Sequence, residues 1–156
     1  MKYILVLLLA ISFSIVKAQS KPLKDFNSSG IAMLMEFDQY GIGKCNFGMI
    51  TLKIEVNALT VKNIALSDNA DSLFRKEIIL GLEKLDTKHL ITYLKEKQIP
   101  KATFLVQLSY SSIGTGCPKI GLDEKQLASI NRFNGKPFSG PCIWLEPIGV
   151  NVKRTH

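Results

Sequence analysis

The residues able to do nucleophilic, redox or metal chemistry are few: Cys45, Cys117, Cys142, His89 and His156. A thiolate needs a neighbouring base or positive charge to be reactive at neutral pH, so Cys45 assisted by His89 is the one enzymatic constellation these residue types allow, that of a small secreted thiol-dependent enzyme. Against it, no motif orients one toward the other, and His156 is terminal. In an oxidising compartment an odd number of cysteines means one bridge plus a free thiol, or an intermolecular link. Cys117 and Cys142 flank a weakly patterned tail and form the best pair, with a loop closure worth about 3.5 kcal/mol in the chain-entropy model. Pairing of Cys45 with Cys117 stays open, because connectivity does not follow from order along the chain. No spacing among the three suits zinc, and no paired-carboxylate, nucleophile-elbow or metal-binding motif occurs, so no cofactor and no metal are expected. Gly41-Ile42-Gly43-Lys44 lacks the spacing and the following Ser or Thr of a phosphate loop and reads as a turn. Phe138 and Trp144, near Gly140, have the composition of a ligand groove or, more commonly, of core plugs.

The elements that must position these groups follow from periodicity. Ile31, Leu34 and Met35 recur at helical spacing up to Gly41, a C-terminal cap residue. From Met49 to Val56, Ile50, Leu52, Ile54 and Val56 alternate with Thr51, Lys53 and Glu55, a strand with one buried face. A second strand over Leu59 to Leu66 changes phase near Asn63, as a bulge would cause, and the Asn57-Ala58 pair argues for a hairpin loop longer than two residues because Ala resists positive φ. Asp68 is placed to cap a helix through Leu85 with a stripe of Phe74, Ile78, Leu82 and Leu85. A shorter helix from Thr87 to about Lys97 carries His89 and must stop before Pro100. A third strand, Ala102 to Tyr110, points Phe104, Val106 and Leu108 one way and Thr103, Gln107 and Ser109 the other. From about residue 111 the pattern weakens into an irregular extension, with short extended segments among Ile143 to Val152 interrupted by Pro147. The fold class is therefore α+β: a small antiparallel sheet of three or four strands with helices packed on one face, in a single domain over 30–156.

The first eighteen residues pair Lys2 with an apolar run from Tyr3 to Val16 and a small-residue site at Val16-Lys17-Ala18, which reads as a removable secretory signal. The run is too short for a hydrocarbon core of about 30 Å, so no transmembrane anchor is expected after its removal, and the mature protein is expected in the periplasm or outside the cell. Residues 19–29, polar and without a period, read as a mobile leader. Loss of Lys2 and Lys17 leaves 18 basic against 13 acidic side chains, a net charge of +5. These charges are dispersed and of mixed sign, as in Arg75-Lys76-Glu77, which argues against a nucleic-acid partner.

Residues 30–110 run helix, strand, strand, helix, strand, and within them Val61-Lys62-Asn63-Ile64-Ala65-Leu66-Ser67, a short polar gap and Leu73-Phe74 before a helix resemble the second strand and helix entry of the C-terminal domain of TonB-like energy transducers. The resemblance implies a small α+β fold that engages partners through a sheet edge. The chain departs from the pattern at the Asn57-Ala58 turn, in an extra helical segment before the third strand, in its tail, and in lacking a Pro-rich spacer, so an energy-transducing role does not carry over with the fold. The function expected is an exported, non-catalytic interaction module of the cell envelope. Its partner would be a cell-envelope protein or an extended peptide added to the strand edge Ala102 to Tyr110, with Thr103, Gln107 and Ser109 on the face away from the helices. The competing outcome is that Ile143 to Leu145 covers this edge as a fourth strand.

Overall fold

The computed structural model describes residues 20–38, 45–69, 72–114, 117 and 122–154. The proposed signal and the Gly41 to Lys44 turn lie outside them. The centre of the molecule is a long antiparallel pair, β1 (Cys45–Asn57) and β3 (Lys101–Gly114), in register from Cys45 opposite Ile113 to Asn57 opposite Lys101. The alternation read from sequence sets this register: Ile50, Leu52, Ile54 and Val56 lie on one face beside Phe104, Val106, Leu108 and Tyr110, all buried.

Strand β2 (Thr60–Leu66) joins β1 through a turn of two residues, Ala58 and Leu59, at φ 50° and 55°. The loop is thus shorter than the Asn57-Ala58 pair suggests. Positive φ costs a non-glycine residue about 1–2 kcal/mol, and the offset here is tertiary: Leu59 packs against the core and its N–H donates to the Pro100 carbonyl at 3.4 Å. The anticipated bulge is present, since Glu55 faces Asn63 while Val56 faces Val61, leaving Lys62 without a counterpart.

Helices α1 (Lys21–Met35), α2 (Ser72–Gly81) and α3 (Lys88–Glu96) supply the apolar side chains over the buried face. Helix α1 corrects the reading of residues 19–29 as a mobile leader. Pro22 occupies its first turn, where no N–H is needed, and Leu23, Phe26, Met33 and Leu34 enter the core from a segment whose polar residues conceal the spacing. Gly30 lets α1 close on the sheet, because a Cβ there would meet Ile148 at 2.6 Å. Helix α2 gives way to a 3-10 turn at Leu82–Lys84, with Phe74, Ile78 and Leu85 buried as its stripe requires. Helix α3 buries Leu90 and Leu94, and the chain leaves it through Gln98 at φ 56° ahead of Pro100.

The tail supplies what the periodicity did not show. After α4 (Glu124–Ser129), capped reciprocally by Asp123 and Gln126, a small hairpin of β4 (Arg132–Phe133) and β5 (Lys136–Pro137) turns at Asn134-Gly135. Asp68 holds this hairpin rather than a helix N-terminus: its carboxylate accepts the N–H groups of Asn134 and Gly135 at 3.0 and 2.8 Å, and its own N–H donates to the Arg132 carbonyl at 2.8 Å. Strands β6 (Ile143–Trp144) and β7 (Ile148–Arg154) then pair in parallel with β3. The α+β class holds, and the sheet has five strands and mixed polarity.

Close approach across the layers makes Gly48 a sensitive position, since a Cβ there would lie 2.3 Å from Cγ of Phe74. Overpacking of this kind costs about 1–3 kcal/mol. Gly48→Ala is expected to lower unfolding free energy by about that amount in urea denaturation, and a variant as stable as the wild type would contradict the packing of α2 on β1.

Candidate functional site

Register places the three anticipated contact residues, Thr103, Gln107 and Ser109, on the sheet face opposite the helices, beside Glu55, Thr51 and Met49. All three are half-buried. The edge of β3 they were expected to flank is largely occupied. Strand β6 pairs with Phe104 and Leu105, the Leu145 N–H donates to the Leu105 carbonyl at 2.8 Å, and β7 runs beside Leu108 to Gly114. The expectation of a free edge over Ala102 to Tyr110 is therefore corrected to an edge occupied by β6 and β7 from Phe104 onward, the competing outcome. The physical reason is burial: Ile148 and Val150 gain a place in the core only by lying beside Leu108 and Tyr110.

What stays open is the beginning of the strand. The ladder with β6 starts at Phe104 opposite Ile143, and continuing that register two residues upstream would set Pro141 opposite Ala102. Proline has no N–H to give to the Lys101 carbonyl, so the ladder cannot continue to Lys101. Leu105 turns its carbonyl toward β6, and by the two-residue alternation of a strand Lys101 and Thr103 turn their backbone groups the same way. On that side the Thr103 N–H and the backbone of Lys101 have no strand partner among the described residues.

A cleft of about 750 Å³ opens at this point. One wall is Ile99 and Lys101 to Thr103 with Glu55 behind them, and the other is the segment Phe138 to Ile143. Phe138, singled out from sequence, is in the wall, whereas Trp144 is opposite Leu105 and outside it. A chain of contacts across the polar face fixes the far wall. The Phe138 N–H donates to the Asn131 carbonyl at 2.8 Å, and its ring meets Phe133 edge-on at 6.3 Å. Phe133 in turn lies under the Lys53 ammonium, 5.4 Å from the ring centre, and Lys53 pairs with Glu55 at 3.1 Å. Glu55 also accepts from the Asn63 side-chain amide at 3.0 Å. The Asn63 bond first, then Lys53 and more weakly Lys101, hold the Glu55 carboxyl below the usual carboxylate range, so it is charged at neutral pH.

The cysteines depart from the expected pairing. Cys45 is bonded to Cys117, with Cα atoms 5.4 Å apart, and Cys142 is the free thiol, half-buried in the cleft wall. The β1–β3 ladder explains this: Cys45 lies opposite Ile113, so a cysteine four residues beyond Ile113 arrives beside it, whereas Cys142 is held at the other end of β3. A disulfide-bonded Cys45 has no thiolate to offer, and His89 contacts Asp86 at 3.5 Å instead, so the Cys45–His89 constellation is not assembled. Among the described residues no group of three His, Cys, Asp or Glu side chains is arranged to hold a metal, and no helix is long and apolar enough to cross a membrane. No family model matches the chain, and no curated protein or solved structure is detectably similar to it.

Non-reducing peptide mapping is expected to link Cys45 to Cys117 and to alkylate Cys142 alone. The bridge closes a separation of 72 residues, for which chain entropy gives about 4 kcal/mol. Cys117→Ser should therefore lower stability by several-fold more than Cys142→Ser. Recovery of a linked Cys117–Cys142 peptide would overturn the assignment.

Proposed function

We propose that this protein is an exported, non-catalytic binding module of the cell envelope that receives a short extended peptide between residues 101–103 of β3 and the segment 138–143. The observation that carries the reading is the splayed edge: unpaired backbone groups of one strand face a cleft whose opposite wall is apolar and anchored. An extended chain entering there would add main-chain hydrogen bonds to Thr103 and Lys101, while Ile99, Phe138 and Ile143 would take side chains. The internal disulfide is consistent with an oxidising compartment. Strand addition is also the mode that the TonB-like resemblance of residues 30–110 favours.

Other edges without a strand partner among the described residues are the outer side of β6 and β7 and that of β2. The bulge of β2 at Lys62 and Asn63 and its exposed lysine blunt that strand in the way that edges protected against pairing are blunted.

Capture from a displayed random-peptide library, followed by titration of the selected peptides, tests the proposal. Thr103→Pro removes the N–H that faces the cleft and spares the bonds to β1, and Ser139→Trp fills the cleft from an exposed position outside the core. Both variants are expected to bind the selected peptides at least about tenfold more weakly, the loss of one or two hydrogen bonds and of the apolar seat. A wild type that selects no peptide, or a folded Ser139→Trp variant that binds as the wild type does, would contradict the reading.

A further inference from the structure

We infer that the peptide taken by this cleft is acidic and carries an apolar anchor side chain seated just beyond the cleft, an inference that rests on the peptide-binding reading above. A second hollow, of about 370 Å³, is lined by Leu59, Leu94, Lys95, Gln98, Ile99 and Pro100. Ile99 lines both hollows, so they adjoin at this side chain, the first at the open strand edge and the second beside Leu59 of the β1–β2 turn. Leu94 is wholly buried, while Leu59 and Ile99 are half-buried, so the second hollow presents aliphatic surface with little polar competition.

The backbone around that hollow is set in place at a cost. Leu59 and Gln98 both hold positive φ, 55° and 56°, and neither is a residue that favours it. Such conformations persist only where the surroundings over-determine them, and they cluster at ligand clamps. Here both strained residues, Leu59 and Gln98, line the hollow.

Charge decides the class of peptide. The one acid lining the two hollows, Glu55, is already engaged by Asn63 and Lys53. Lys101 lines the first hollow and Lys95 the second; Lys101 acts on Glu55 only weakly, and among the described residues neither lysine has a carboxylate within ion-pair distance. Two ammonium groups outside ion pairs, against one carboxylate already held by Asn63 and Lys53, favour an anionic chain and disfavour a cationic one. An extended peptide suits the adjoining hollows because its side chains alternate: acidic residues face the lysines and the intervening apolar residue enters the second hollow.

The test is fluorescence anisotropy with three labelled, end-blocked hexapeptides: alternating glutamate and leucine, alternating lysine and leucine, and alternating glutamate and glycine. The glutamate–leucine peptide is expected to bind at least about tenfold more tightly than either of the others, with the advantage over the lysine peptide shrinking as salt is raised. The double variant Lys95→Glu, Lys101→Glu, both at exposed positions, is expected to reverse the preference between the two charged peptides. Equal binding of the two charged peptides, both weakened by Ser139→Trp, would overturn the acidic specificity and leave peptide binding standing. Equal binding of the leucine and glycine forms would overturn the anchor. No binding of any of the three would overturn this inference and, together with failure of the library selection, the proposed function itself.

Discussion

Everything outside the central pair depends on β3 being paired on both sides, antiparallel to β1 on one and parallel to β6 and β7 on the other. A strand buried in this way must be apolar toward the helices and satisfied along its backbone, and Phe104, Val106, Leu108 and Tyr110 are accordingly almost inaccessible. Parallel pairing has a further demand: the chain cannot return by a tight turn and must cross over. The residues between Gly114 and Ile143 make that crossing, and α4 and the β4–β5 hairpin are the structure they acquire on the way. The hairpin is tied back by Asp68 and by Phe133 under Lys53. The same constraint positions the cleft, because the returning chain joins β3 at Phe104 and a proline keeps it from joining earlier.

Local pattern made much of the sheet legible. Strict alternation at Ile50 to Val56, and alternation broken only by Leu105 across Ala102 to Tyr110, marked the two central strands and their buried faces, and the phase change near Asn63 marked the bulge. Helix α3 was legible from Leu90, Leu94 and the stop at Pro100. Other features could not be seen locally. Helix α1 hides its apolar residues among Lys, Asp, Asn and Ser, and its stability comes from packing across β7 at Gly30 rather than from helix propensity. The two-residue turn at Ala58-Leu59 depends on Pro100, far along the chain, to offset its strain.

The site was half legible for the same reason. Thr103 and Phe138 stood out as a strand-face residue and a turn-flanking aromatic, and both line the cleft. Their meeting depends on a parallel register that no short-range signal encodes. Pairing of the cysteines is likewise a consequence of register: with Cys45 opposite Ile113, Cys117 is the neighbour that the ladder delivers, and the loop-length argument for Cys142 has no purchase. What the cleft inherits from this arrangement is a wall anchored at Phe138 and Ile143 and a strand start that is not closed. The contacts from Asn63 through Glu55, Lys53 and Phe133 to Phe138 hold the wall, and Pro141 leaves the edge open.

Amide hydrogen exchange along β3 reads out the open strand start residue by residue. Thr103 is expected to exchange fast in the free protein, while Phe104, whose backbone faces β1, and Ser109 and Ser111, which lie beside β7, are strongly protected; addition of a bound peptide should slow Thr103 selectively. Strong protection of the Thr103 amide without any peptide, or fast exchange at Ser109 and Ser111, would contradict this arrangement of the edge.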